Sequence, residues 1–111
     1  MGTNFYIPEN HPKAEGMTEE ERHVGKRSMG WNFLFQGHPH IKTVDAWKAE
    51  LNKYGQVEDE YGGLIPLDEF WEMALSWKGK SHLDLNDGLG WLTSEAYGLD
   101  GDVEFCYREF E

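Results

Sequence analysis

Five histidines, one short basic cluster and a heavily acidic second half are the parts of this chain that suggest chemistry. Imidazole binds zinc at neutral pH, and a zinc site takes about four nitrogen, sulfur or carboxylate ligands. His38-Pro39-His40 ends an aromatic run. His23 stands on the other side of Met29-Gly30, so a hairpin turning at that pair brings His23 and His38 together. His11, in the polar stretch before them, can fold back as a third ligand. His11, His23 and His38 are therefore the candidate zinc set, although neither a C-x-x-C nor an H-E-x-x-H spacing accompanies them.

Lys26-Arg27-Ser28 is the densest basic spot, and it leads into the same turn. Backbone N–H groups of a tight turn can hold an anion, which makes Lys26, Arg27 and Ser28 a candidate site for a phosphate-bearing ligand. It is not a Walker loop: the glycine such a loop needs is replaced by Glu20 before Gly25, and by Ala74 before Gly79-Lys80-Ser81. Asp84-Leu85-Asn86-Asp87-Gly88 places its glycine one position too early for a calcium-binding EF-hand loop. The single cysteine, Cys106, has no histidine beside it to act as base. Carboxylates are too numerous for one acid–base pair to stand out. No catalytic constellation is present, and a non-enzymatic role is expected.

The formal net charge is -11. Residues 1–55 carry seven acids and seven bases, whereas residues 56–111 carry fourteen acids and three bases, Lys78, Lys80 and Arg108. The imbalance therefore sits in the second half. Such a surface repels nucleic acid and anionic lipid, and complements a basic protein. Aromatic residues within a polar rim resemble interface hot spots. Glu58, Asp59, Glu60, Tyr61, Trp77, Trp91, Tyr97, Asp100 and Asp102 are the candidate partner-binding residues.

The elements that must position these groups follow from patterning. One domain spanning 1–111 is expected from the length. Thr3 to Ile7 and Arg22 to Ser28 read as strands, with Glu9 to Glu21 a loop between them that has room for one helical turn. Trp31, Phe33 and Phe35 alternate, as in a strand with one buried face. Thr43 to Tyr54 is the clearest helix, with Thr43 as N-cap, Gly55 beyond its end and a stripe of Val44, Trp47, Leu51 and Tyr54. Gln56 to Pro66 reads as strand, Gly62-Gly63 turn and strand. Asp68 is expected to cap a second helix reaching about Lys78. Lys80 to Asp102 reads as irregular, and Val103 to Phe110 as a last strand. The fold class is α+β, a mainly antiparallel sheet with two helices packed on one face. No apolar run is long enough to cross a membrane. The opening residues lack the basic and apolar regions of a signal peptide, so a cytoplasmic location is expected.

Three segments resemble small uncharacterised proteins of bacteriophages and prophages. They are Met1-Gly2-Thr3-Asn4-Phe5-Tyr6, His23-Val24-Gly25-Lys26-Arg27-Ser28-Met29-Gly30-Trp31-Asn32-Phe33 and Phe105-Cys106-Tyr107-Arg108-Glu109-Phe110. Many of those proteins carry a C-x-x-C ahead of the His-x-Gly-Lys segment, which suggests a zinc knuckle. This chain has no cysteine there, so zinc would shift onto His11, His23 and His38. The resemblance implies an accessory role inside an infected bacterial cell. Joined to the charge, it gives the expected function: binding a basic host protein, a defence or nucleic-acid-handling factor, in the manner of an anti-CRISPR or DNA mimic. A zinc- or phosphate-ligand module centred on the His23–Ser28 hairpin is the alternative.

Overall fold

The computed structural model describes residues 2–79, 97–100 and 103–107. Within them the chain forms strands β1 (Gly2–Tyr6), β2 (His23–Ser28), β3 (Leu34–Gln36), β4 (Gln56–Asp59), β5 (Leu64–Pro66), β6 (Tyr97–Asp100) and β7 (Val103–Cys106). The helices are α1 (Glu19–Arg22), α2 (Val44–Leu51) and α3 (Leu67–Ser76). One sheet takes the order β5-β4-β1-β2-β3-β7-β6. Every neighbouring pair is antiparallel except β3 with β7. The class is α+β, as the mixed order of elements predicts.

Phe5, Gly25, Phe35 and Phe105 lie in register across β1, β2, β3 and β7. Residues directly opposite one another share a face, so these four form one row. The row packs under the helices: Phe70 of α3 meets Phe5 edge-on, and Trp71 stacks on Phe35. Trp47 and Leu51 of α2 enter the same core. The Lys48 ammonium lies 5.7 Å over the Trp71 ring, which sets α2 beside α3.

Glycine is required in that row. A Cβ at Gly25 would lie 2.6 Å from the Leu34 carbonyl oxygen and 2.6 Å from the Phe33 ring. Gly25 thus makes room for aromatic packing, a different service from cradling a phosphate. Gly25→Ala is expected to cost about 2 kcal/mol, because a backbone oxygen cannot step aside as a side chain can. An unchanged denaturation midpoint would show that the strands have slack there.

Local signals account for α2. Thr43 Oγ1 accepts the Ala46 N–H at 3.0 Å, and Gly55, at φ 79°, donates back to the Leu51 carbonyl at 3.1 Å. The helix itself stops at Leu51, and the Tyr54 end of the stripe belongs to the turn that follows. The Met29-Gly30 turn forms as expected, with Gly30 at φ 85° and β2 paired to β3.

Three expectations need correction. The Trp31–Phe35 run is not a one-faced strand: only Leu34–Gln36 is extended, and all three of its residues are buried, because β3 lies inside the sheet between β2 and β7. Asp68 is not an N-cap. The helix starts at Leu67 directly after Pro66, and the Asp68 carboxylate accepts the N–H of Glu69 instead. Tyr97–Asp100, within the stretch read as irregular, is strand β6 and forms a hairpin with β7. The loop from Glu9 to Glu21 does hold one helical turn, α1, opened by a capping box in which Thr18 Oγ1 takes the Glu21 N–H and Glu21 takes the Thr18 N–H. That exchange also holds the Glu21 carboxyl below its ordinary range.

Candidate functional site

The sheet face opposite the helices carries a polar row. Asn4 and Gln36 flank His23, which is 1% exposed. His23 Nδ1 lies 3.2 Å from Gln36 Oε1, and Nε2 lies 2.9 Å from Asn4 Oδ1. The Gln36 amide cannot turn over, because its Nε2 donates to the carbonyls of Gly37 and Cys106. Its oxygen must face the ring, so Nδ1 keeps its proton. Burial pushes the His23 pKa down to about 4, and the charges of His38 and Lys26 add to that, against the Gln36 hydrogen bond and the Gly25 backbone. A neutral ring leaves Nε2 as an acceptor, which needs the Asn4 NH2 group, whereas an imidazolium needs the Asn4 oxygen. Asn4 Nδ2 lies 3.4 Å from Glu60 Oε1, a long contact that turning the amide over would give up, so protonation of the ring and the Asn4 orientation are coupled through Glu60.

His38 does approach His23, as the hairpin predicts, but it donates through Nε2 to the His23 carbonyl at 3.0 Å, while both ring nitrogens of His23 face amides. His11 Nδ1 accepts the Lys13 N–H at 3.1 Å, and its ring stands edge-on to Tyr54. Among the described residues, no three His, Cys, Asp or Glu side chains converge as metal ligands. The described residues thus give a zinc ion no converging donor set.

The acids have specific internal tasks. Glu60 accepts the Asn4 backbone N–H at 2.6 Å, and Asp59 Oδ1 accepts the N–H groups of Tyr61 and Gly63. Glu58 accepts the Glu9 N–H at 2.9 Å and lies 4.0 Å from Arg22 Nη1. Asp100 accepts the Val44 N–H at 2.8 Å, at the positive end of α2. Each of these carboxylates braces the chain with one oxygen. Three of them nonetheless line a groove of about 360 Å³. Glu58, Asp59 and Glu60 come from the β4–β5 hairpin, and Glu9, Glu19 and Arg22 from the segment between β1 and β2. Five acidic residues therefore line one groove with a single arginine, whose guanidinium lies within ion-pair distance of Glu58. Sequence reasoning passed over Glu9, Glu19 and Arg22, since only the β1–β4 pairing brings their segment to β4.

Tyr61 and Trp77 lie elsewhere, in a second cleft that also contains Arg27 of the basic cluster. Trp77 follows the end of α3 and donates its indole N–H to the Ser28 carbonyl at 3.1 Å. Its backbone carbonyl receives the Phe33 N–H, which docks the end of α3 on the β2–β3 turn. Lys26 does not line this cleft. Trp91, Asp102 and the Tyr97 side chain lie outside the described residues. Cys106 is buried.

No helix among the described residues is long and apolar enough to cross a membrane. No family model matches the chain, and no solved structure matches it. Over 47 residues the chain is 38% identical to "Probable polyketide synthase 3" of Dictyostelium discoideum. That stretch covers 41% of this chain and 2% of that protein, too little of either to show a family.

Proposed function

We propose that this protein is a non-enzymatic accessory protein, of the kind bacteriophages encode, that binds a basic segment of a host protein in its acidic groove. The observation that carries the reading is that Glu9, Glu19, Glu58, Asp59 and Glu60 line one groove in which Arg22 is the single basic residue. Because Glu58, Asp59 and Glu60 are held by backbone N–H groups, their positions are set before a partner arrives, and little side-chain entropy remains to be lost. The net charge of -11 adds long-range attraction that speeds encounter with a cationic surface and repels nucleic acid itself. A host factor that handles nucleic acid presents such a surface, and occupying it would inhibit that factor.

The test uses a lysine- and arginine-rich peptide of about ten residues and the isotope-labelled protein. Backbone shifts are expected at Glu9, Glu19, Glu58 and Glu60, weakening steeply with salt. Glu9→Lys with Glu19→Lys leaves the backbone braces in place and is expected to lower affinity on the order of tenfold, about 1.4 kcal/mol. Binding that ignores both salt and the double reversal would remove the groove from the mechanism.

A further inference from the structure

The two most exposed large hydrophobic side chains among the described residues are Met29, 80% exposed, and Tyr61, 78% exposed. They come from different hairpins, β2–β3 and β4–β5, yet line the same cleft with Trp77 and Arg27. The Arg27 guanidinium lies 5.1 Å from the Trp77 ring and 5.6 Å from Phe5. Those aromatic contacts hold it, but no carboxylate or carbonyl among the described residues accepts its N–H groups. In a chain with more than twice as many acids as bases, a guanidinium with no acid beside it among the described residues stands out. Its fork of N–H donors matches a carboxylate, and the ring faces beside it match a planar ring. Met29 supplies an adaptable thioether at the rim.

Size and charge narrow the class. The cleft holds about 240 Å³. That exceeds the roughly 150 Å³ that admits benzene and falls short of the roughly 300 Å³ where drug-sized sites begin. One ring system with one head group fits. A singly charged head group meets less repulsion from the surrounding acidic protein than a doubly charged one. We propose that the Arg27–Tyr61–Trp77 cleft binds a small aromatic carboxylate, its carboxylate on Arg27 and its ring among Tyr61, Trp77 and Met29. This site is separate from the acidic groove, and its ligand carries the opposite charge.

The test titrates indole-3-acetate, phenyl phosphate and benzyl alcohol into the labelled protein, reading the Arg27 Nε–H, Met29 methyl and Trp77 indole N–H signals. Indole-3-acetate is expected to shift all three in the millimolar range typical of fragments this small, and benzyl alcohol to do so far more weakly. Tyr61→Ala removes an exposed ring without touching the core and is expected to weaken the acid about fivefold. Arg27→Lys keeps the charge but loses the fork, and a loss of about tenfold is expected for the acid, with little change for the alcohol. The proposal is overturned if the acid leaves those signals unmoved at tens of millimolar, if the alcohol binds equally well, or if Tyr61→Ala binds as the parent does. Phenyl phosphate acting at lower concentration than the acid would overturn the carboxylate assignment. Failure here would leave the groove untouched, since the basic peptide reads different residues.

Discussion

Taking the protein from pH 7 to pH 4 is expected to remove about 3 kcal/mol of folding stability through His23 alone. The unfolded chain protonates this ring near the ordinary 6.5, while the native chain does so only near 4. Between those values the unfolded state binds more protons, so stability falls as the pH falls. The contribution is complete above pH 6.5 and is lost progressively down to about 4. For a domain of this size the melting temperature should drop on the order of 10 °C. The carboxylates titrate at the acid end too, so the window to watch is pH 5 to 6.5. There His23→Gln should be less stable than the parent but nearly flat with pH. Direct observation of the imidazole decides the point: a native-state midpoint near 6.5 would sink the prediction. Because the Asn4 amide must present oxygen to the cation and nitrogen to the neutral ring, its side-chain NH2 signals should move with the same midpoint.

Trp47→Ala is expected to be the most damaging single substitution, at roughly 4 kcal/mol. Trp47 is fully buried and joins α2 to the sheet. Its indole N–H donates to the Gln36 carbonyl at 3.0 Å, and its ring stands edge-on to His38. Alanine leaves a cavity and deprives a buried carbonyl of its donor, so two costs add. Trp47→Phe keeps most of the volume and should lose about 1–2 kcal/mol, mainly the hydrogen bond. Urea midpoints measured on both variants separate the two costs. A Trp47→Ala cost below about 1 kcal/mol would mean that α2 contributes little to the core, since domains of this kind have only about 5–15 kcal/mol in total.

The acidic groove and the aromatic cleft divide the residues singled out as a partner surface. Glu58, Asp59 and Glu60 go to one, and Tyr61 and Trp77 to the other. Adjacent positions in the β4–β5 turn therefore serve different surfaces. The separation arises because Glu60 reaches back to the Asn4 backbone while the Tyr61 ring stays in solvent.

Local chemistry was legible in the chain itself. Thr43, the three- and four-residue spacing of Val44, Trp47 and Leu51, and Gly55 define α2 because capping and helix periodicity act within a few residues. Glycines at 30 and 62 mark turns for the same reason, each adopting a positive φ that side chains resist. Thr18 and Glu21 also spell out α1, by a pattern of equal range. The tertiary structure decided which distant groups meet. Asp100 reaches Val44 and Glu60 reaches Asn4, each across 56 residues, and His23 lies between amides from β1 and β3. No spacing rule encodes those contacts, because they depend on the order β5-β4-β1-β2-β3-β7-β6, a property of the whole sheet. Composition determined that the protein is acidic. Only the folded arrangement decided which carboxylates brace the backbone, which of them also line the groove, and that one arginine stands among aromatic rings with no acid beside it among the described residues.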